Sequence, residues 1–145
     1  MRILALDVGD KRIGVAVGDT ETRLATPLAV YERIGTKRDT DELLRIATRQ
    51  RAEALLVGLP YALDRSQGDG AQGEQAQRVL RFCEALREKT PLTVLTWDER
   101  FTSTEADLRM SEAGVPIAKR KGLRDSAAAA IILQSYLDNG PPTWR

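Results

Sequence analysis

Residues 3–19 read Ile-Leu-Ala-Leu-Asp-Val-Gly-Asp-Lys-Arg-Ile-Gly-Val-Ala-Val-Gly-Asp. A short apolar run closes on one carboxylate, Asp7. A Gly-Asp-Lys-Arg turn follows, and then a second apolar run over 13–17. This is the pattern of a strand, a tight turn and a second strand. An acid at the end of a buried strand is costly unless its charge has a use. The plainer alternative is that Asp7 serves the turn, as Asp often does. Gly9 and Gly14 carry no Cβ, so backbone or a phosphate can come close to them.

Outward from this hairpin, 25–34 reads as a third strand, with Pro27 suited to an edge. Asp39 with Glu42 three residues on has the form of a helix N-terminal cap. The helix then runs to about residue 51, with Leu43, Leu44, Ile46 and Ala47 inside. The continuous apolar run 54–59 is expected of a buried parallel strand. Residues 64–73 form a polar stretch with Gly68, Gly70 and Gly73, read either as a flexible connection or as a flap beside a site. Ala76, Val79, Leu80, Cys83 and Leu86 mark an amphipathic helix. Residues 92–97 form a last strand that ends in Asp98-Glu99-Arg100. Thr102 or Ser103 can cap a helix ending near Gly114. A basic loop, 119–124, leads to Asp125, which opens a final helix apolar on nearly every side. A three-strand meander followed by right-handed crossovers gives an α/β fold: one five-stranded mixed sheet with helices on both faces.

The chain has 145 residues, which fits a single domain over 1–145 with a core of its own. It has one cysteine, Cys83, and no histidine. A disulfide framework and a cysteine-rich zinc site are excluded, and so are histidine bases and ligands. Chemistry must therefore rest on carboxylates, lysines, hydroxyls or a metal held by oxygen. Net charge is +1 and does not decide whether nucleic acid is a partner. No apolar run approaches the roughly 20 residues that span a bilayer, so a soluble cytoplasmic protein without membrane contact is expected.

Three acidic spots occupy comparable places. Asp7 ends the first strand, Asp98 and Glu99 end the last, and Asp125 opens the final helix. In a sheet whose first and last strands run parallel, these ends share the edge where open α/β sheets bind ligands. Crowded carboxylates repel one another, and a divalent cation removes the conflict. Oxygen ligands without histidine favour Mg²⁺ or Mn²⁺. Two such ions, about 3.5–4 Å apart, can activate water and stabilise the leaving oxygen in phosphodiester cleavage. Asp98 and Glu99 should point to opposite faces, so one of them faces Asp7; Glu99, with the longer reach, is favoured. Solvated loop charges for 98–100 and an N-cap for Asp125 are the plainer readings. Lys11, Arg12, Arg100, Lys119, Arg120, Lys121 and Arg124 stand beside these acids in sequence. Such cations can hold a polyanionic backbone while the acids hold the metal, although each cluster alone is commonly just a solvated face.

These residues carry a resemblance. The chain resembles the YqgF family of Holliday-junction resolvases or pre-16S rRNA nucleases within the RNase H-like superfamily. The matching stretches are Leu6-Asp7-Val8-Gly9-Asp10-Lys11-Arg12-Ile13-Gly14-Val15-Ala16, Val57-Gly58-Leu59-Pro60, Asp98-Glu99-Arg100-Phe101-Thr102-Ser103 with Glu105-Ala106, and the region from Lys119-Arg120-Lys121 through Asp125 to Leu137. The resemblance implies an RNase H-like fold and a divalent-metal nuclease site on Asp7, the Asp98-Glu99 pair and Asp125. The stretch 62–73 is longer and richer in glycine than the family's usual segment. The expected partner is nucleic acid, either structured RNA or branched or single-stranded DNA, and the expected state is a monomer or homodimer.

Two other classes compete. A nucleotide phosphotransferase of the sugar-kinase type would need a second domain, and no GxxxxGK[ST] loop is present. A non-catalytic nucleic-acid binder or ribosome-assembly factor would show salt-sensitive binding without turnover.

Overall fold

A computed structural model of the chain describes the backbone of residues 1–60, 69–98 and 117–139, and the side chains of 1–60, 73–98 and 126–139. Five strands form one sheet in the order β3-β2-β1-β4-β5. β1 (Arg2–Val8), β2 (Arg12–Asp19) and β3 (Leu24–Glu32) are antiparallel neighbours. β4 (Ala54–Leu59) and β5 (Thr93–Asp98) continue the sheet parallel to β1. The three described helices are α1 (Thr36–Arg49), α2 (Asp69–Lys89) and α3 (Ile117–Asn139). This is the expected five-stranded mixed sheet. No described helix is long and apolar enough to cross a membrane.

β1 and β4 lie inside the sheet, which is why both read as unbroken apolar runs: Ile3 to Leu6 and Ala54 to Val57 are all fully buried. Their alternation divides the core in two. Leu4, Leu6, Leu55 and Val57 meet Leu43 and Ala47 of α1 and Val79, Phe82, Cys83 and Leu86 of α2. Ile3, Ala5 and Leu56 meet Ala129, Ile132, Leu133 and Tyr136 of α3 on the other face. Cys83 is a core residue, and burial pushes its thiol up to about 11. Leu80, expected inside α2, is 40% exposed, and Phe82 takes the buried place. Both choices satisfy a three- and four-residue stripe, so periodicity did not separate them.

Pro27 sits where the β2–β3 register slips, since Val15 pairs with Ala29 while Ala16 pairs with Pro27. A bulge on an edge strand accommodates a residue that cannot donate to the ladder. It also interrupts an edge on which Leu24, Leu28 and Val30 are exposed, which works against pairing with another chain.

Gly18 marks a close approach of α3 to the sheet. A Cβ there would lie 2.7 Å from the Leu24 carbonyl oxygen and 2.8 Å from Leu133 Cδ2. Gly18→Ala should cost about 1–3 kcal/mol by overpacking, read as a shift of the urea midpoint. An unshifted midpoint would mean that α3 stands off the sheet.

Three helix boundaries differ from expectation. α1 begins at Thr36 with Gly35 as N-cap, not at Asp39. α2 starts at Asp69, inside the glycine-rich stretch read as a loop, whereas 64–68 lies outside the described residues. The basic stretch 119–124 is helical, so Asp125 does not open α3 but is its ninth residue. Ala, Lys, Arg and Leu are strong helix formers, and Gly122 costs a helix only about 1 kcal/mol. The helix expected over 102–114 lies outside the described residues.

Candidate functional site

Asp7 is the next-to-last residue of β1 and is half-buried. Its partner across the hairpin is Gly14. Alternation along β1 puts Ile3, Ala5 and Asp7 on the face covered by α3. Leu95 and Trp97 of β5 lie on that same face. Trp97 packs edge-on to Tyr136 at 5.0 Å, and its indole N–H donates to Ser135 Oγ at 3.1 Å. Burial pushes the Tyr136 hydroxyl up to about 12.

Asp98 ends β5 beside Leu59 and is exposed. One residue beyond Trp97, it falls on the opposite face from Asp7. Glu99 and Arg100 lie outside the described residues. Asp125 and the cations Lys119, Arg120, Lys121 and Arg124 are carried by the N-terminal part of α3; their side chains are not described. The N-cap alternative for Asp125 is thereby removed. Among the described residues, no three His, Cys, Asp or Glu side chains come together as a metal site.

The turn after Asp7 is held tightly. The Gly9 N–H donates to the Arg12 carbonyl at 2.8 Å, and a Cβ on Gly9 would sit 2.8 Å from that same oxygen. The close approach that requires glycine is therefore made by backbone. Lys11 is exposed at the turn, and Arg12 opens β2 opposite Glu32. Asp10 pairs with Arg78 of α2 at 3.4 Å, with both side chains exposed.

Sequence reasoning missed the group that braces this turn. The Arg33 guanidinium donates to the Gly9 carbonyl at 3.1 Å and to Asp39 Oδ2 at 3.0 Å, and lies 5.2 Å from the centre of the Phe82 ring. Asp39 is fully buried. Its Oδ1 accepts the Ile34 N–H at 2.9 Å and the Gly35 N–H at 3.3 Å. Burial pushes this carboxyl up, but the Ile34 amide, the Arg33 guanidinium, the Gly35 amide and the Tyr31 hydroxyl outweigh it and hold it below the usual carboxylate range. The Asp39–Glu42 spacing was the only signal in the sequence, and it pointed to the right helix end with the wrong role.

A concavity of about 740 Å³ runs along α1, lined by Leu44, Arg45, Thr48, Arg49, Asp41 and Lys89. Its helix packs on the other sheet face from Asp7. Its cations already pair with carboxylates, Arg45 and Arg49 with Glu42 and Lys89 with Asp41.

Solved structures share this architecture. RuvC of T. thermophilus, in complex with a Holliday junction substrate, matches with a TM-score of 0.60 at 15% identity, covering 97% of each chain. The fowlpox virus Holliday junction resolvase matches with a TM-score of 0.57 at 16% identity, covering 95% of this chain and 98% of the other. At these identities the likeness is one of fold. Sequence relatives are much nearer. A protein of Clostridium novyi named "Putative pre-16S rRNA nuclease" is 41% identical over 139 residues, covering 96% of this chain and 99% of its own. One of the same name from Desulforamulus reducens is 41% identical over 140 residues, covering 97% and 98%. The family model described as "RuvX: Holliday junction resolvase" matches residues 1–139, so the hairpin bearing Asp7 and the helix bearing Asp125 both fall inside it: the chain belongs to the RuvX family, also called YqgF.

Proposed function

We propose that the protein is a divalent-metal-dependent nuclease that hydrolyses phosphodiester bonds in structured RNA, with precursor 16S rRNA as its substrate. The observation that carries this reading is Asp7, half-buried at the carboxyl end of a central parallel strand and on the face that α3 covers. Leu133 of α3 lies against Gly18, which pairs with Ile3 at the start of β1. From 133 back to 125 the helix climbs roughly 12 Å. From Ile3 to Asp7 the strand covers roughly 13 Å. The burial of Ala128 through Ile132 keeps this part of α3 against the sheet. A path antiparallel to β1 would bring position 125 level with Asp7, and that juxtaposition is part of the proposal. Position 125 also continues the 129, 132 and 136 stripe at helical spacing. Asp98 faces away from Asp7 by the strand period, so Glu99 is the acid of the pair taken into the proposed set.

The donor chemistry fits a hard cation. The chain has no histidine, and its one thiol is buried and held in the protonated form. Carboxylate oxygens of Asp7, Glu99 and Asp125 would hold Mg²⁺ or Mn²⁺. When bound, the ion supplies Lewis-acid charge at the phosphodiester and lowers the pKa of water. Asp7 contributes a fixed negative charge on a rigid strand. Lys11 and Arg12 at the turn, with Arg100, Lys119, Arg120, Lys121 and Arg124, would contact the sugar-phosphate backbone and set the position of the scissile phosphate. The name of the relatives at about 40% identity supports the RNA substrate. DNA-junction cleavage is the second reading, supported by the family description.

Purified protein should cleave precursor 16S rRNA in Mg²⁺ or Mn²⁺ and lose that activity in EDTA. Four-way junctions and single-stranded DNA in parallel reactions decide between the substrates. Cleavage undiminished by EDTA would rule out the metal site. Salt-sensitive RNA binding with no turnover in either metal would favour the non-catalytic alternative.

A further inference from the structure

We propose that Arg33 is a positioning residue for the carboxylate site at Asp7; the proposal rests on the metal-dependent reading above. Arg33 grips the hairpin turn twice. Its main-chain N–H donates to the Lys11 carbonyl at 2.9 Å, and its guanidinium Nη1 donates to the Gly9 carbonyl at 3.1 Å. Gly9 lies two residues after Asp7, at the point where β1 leaves the sheet. The remaining contacts fix the guanidinium itself. Nε donates to Asp39 Oδ2 at 3.0 Å, Nη2 to Thr36 Oγ1 at 3.4 Å, and Cζ lies 5.2 Å from the Phe82 ring centre. One side chain thus ties the β1–β2 turn to the start of α1 and to the middle of α2.

The charge on Arg33 is spent on a buried carboxylate, and the side chain is 22% exposed. It is therefore not another phosphate contact. Its effect on the reaction runs through the backbone of the turn and the direction in which Asp7 leaves the strand. Groups that orient metal ligands from behind commonly change metal affinity by roughly 10- to 100-fold when lost. Lysine is a poor substitute, because a single ammonium cannot donate to Gly9, Asp39 and Thr36 in the fork geometry of a guanidinium.

The test compares wild type, Arg33→Lys and Arg33→Ala by Mn²⁺ titration calorimetry, thermal unfolding and cleavage kinetics, all well below the unfolding temperature. The expected result is a Mn²⁺ Kd raised about tenfold or more, with kcat lowered at fixed Mn²⁺ and partly restored at saturating Mn²⁺, while KM for the nucleic acid stays within about twofold. Arg33→Lys should fall between the other two, and it carries the test if Arg33→Ala does not fold. A folded Arg33→Lys with a lowered Tm but wild-type Mn²⁺ affinity and metal dependence would overturn the positioning role alone. Wild-type protein that takes up no Mn²⁺ would remove the metal-site reading, and this proposal with it.

Discussion

Asp7→Asn should lower cleavage by on the order of a thousandfold while leaving the fold intact. A thousandfold corresponds to about 4 kcal/mol of transition-state stabilisation, within the several kcal/mol that a properly held metal ion supplies. Asparagine keeps the shape of aspartate and one oxygen but removes the full charge. Asp7 closes a strand whose stability comes from Ile3, Leu4, Ala5 and Leu6, all fully buried, and from ladders to β2 and β4. In the proposed site, taking out one acid would also relieve repulsion among the three carboxylates. The unfolding midpoint of Asp7→Asn should therefore stay close to that of wild type. Residual cleavage above about a tenth of wild type, in a folded variant, would mean that another group carries the chemistry.

The second large effect is on stability. Asp39→Ala should cost about 3 kcal/mol in denaturant unfolding at neutral pH, near the lower end for breaking a buried ion pair because Arg33 is 22% exposed. The loss combines an unpaired guanidinium with the Ile34 and Gly35 N–H groups left without their acceptor. The pH dependence has a definite sign. The folded Asp39 carboxyl is held below the usual carboxylate range, so its contribution is present above about pH 4 and is lost as pH falls through the folded pKa. The gap between wild type and Asp39→Ala should accordingly narrow on acidification. A gap that is constant or widens below pH 4 would show that Asp39 does not act as an ionised acceptor.

The sheet was legible because its strands carry distinct signatures. β1 and β4 are buried on both faces and read as continuous apolar runs, and β3 announces its edge position through Pro27. Helix ends were less legible. Asp39 and Glu42 fit a capping pattern, but Gly35 occupies the cap, and Asp39 reaches back to the cap from the first turn. The basic segment 119–124 reads as a loop by its charge, but the helix propensity of Lys, Arg and Ala prevails there. Asp7 was legible as a lone acid closing an apolar strand. The strand period also anticipated that Asp98 would not share its face if Glu99 did. Arg33 was not legible. Its role depends on β3 returning beside the β1–β2 turn 24 residues away and on Phe82 of α2 arriving beneath it. No local pattern encodes that meeting.

Anomalous diffraction from crystals soaked in Mn²⁺ tests the central claim most directly. The account predicts a peak bonded to an Asp7 carboxylate oxygen at about 2.1–2.2 Å, with oxygens from Asp125 and Glu99 completing the set and the peak absent in Asp7→Asn. A Mn²⁺ peak bound elsewhere, or an Asp7 carboxylate occupied by lysine or arginine while substrate is still cleaved, would contradict it.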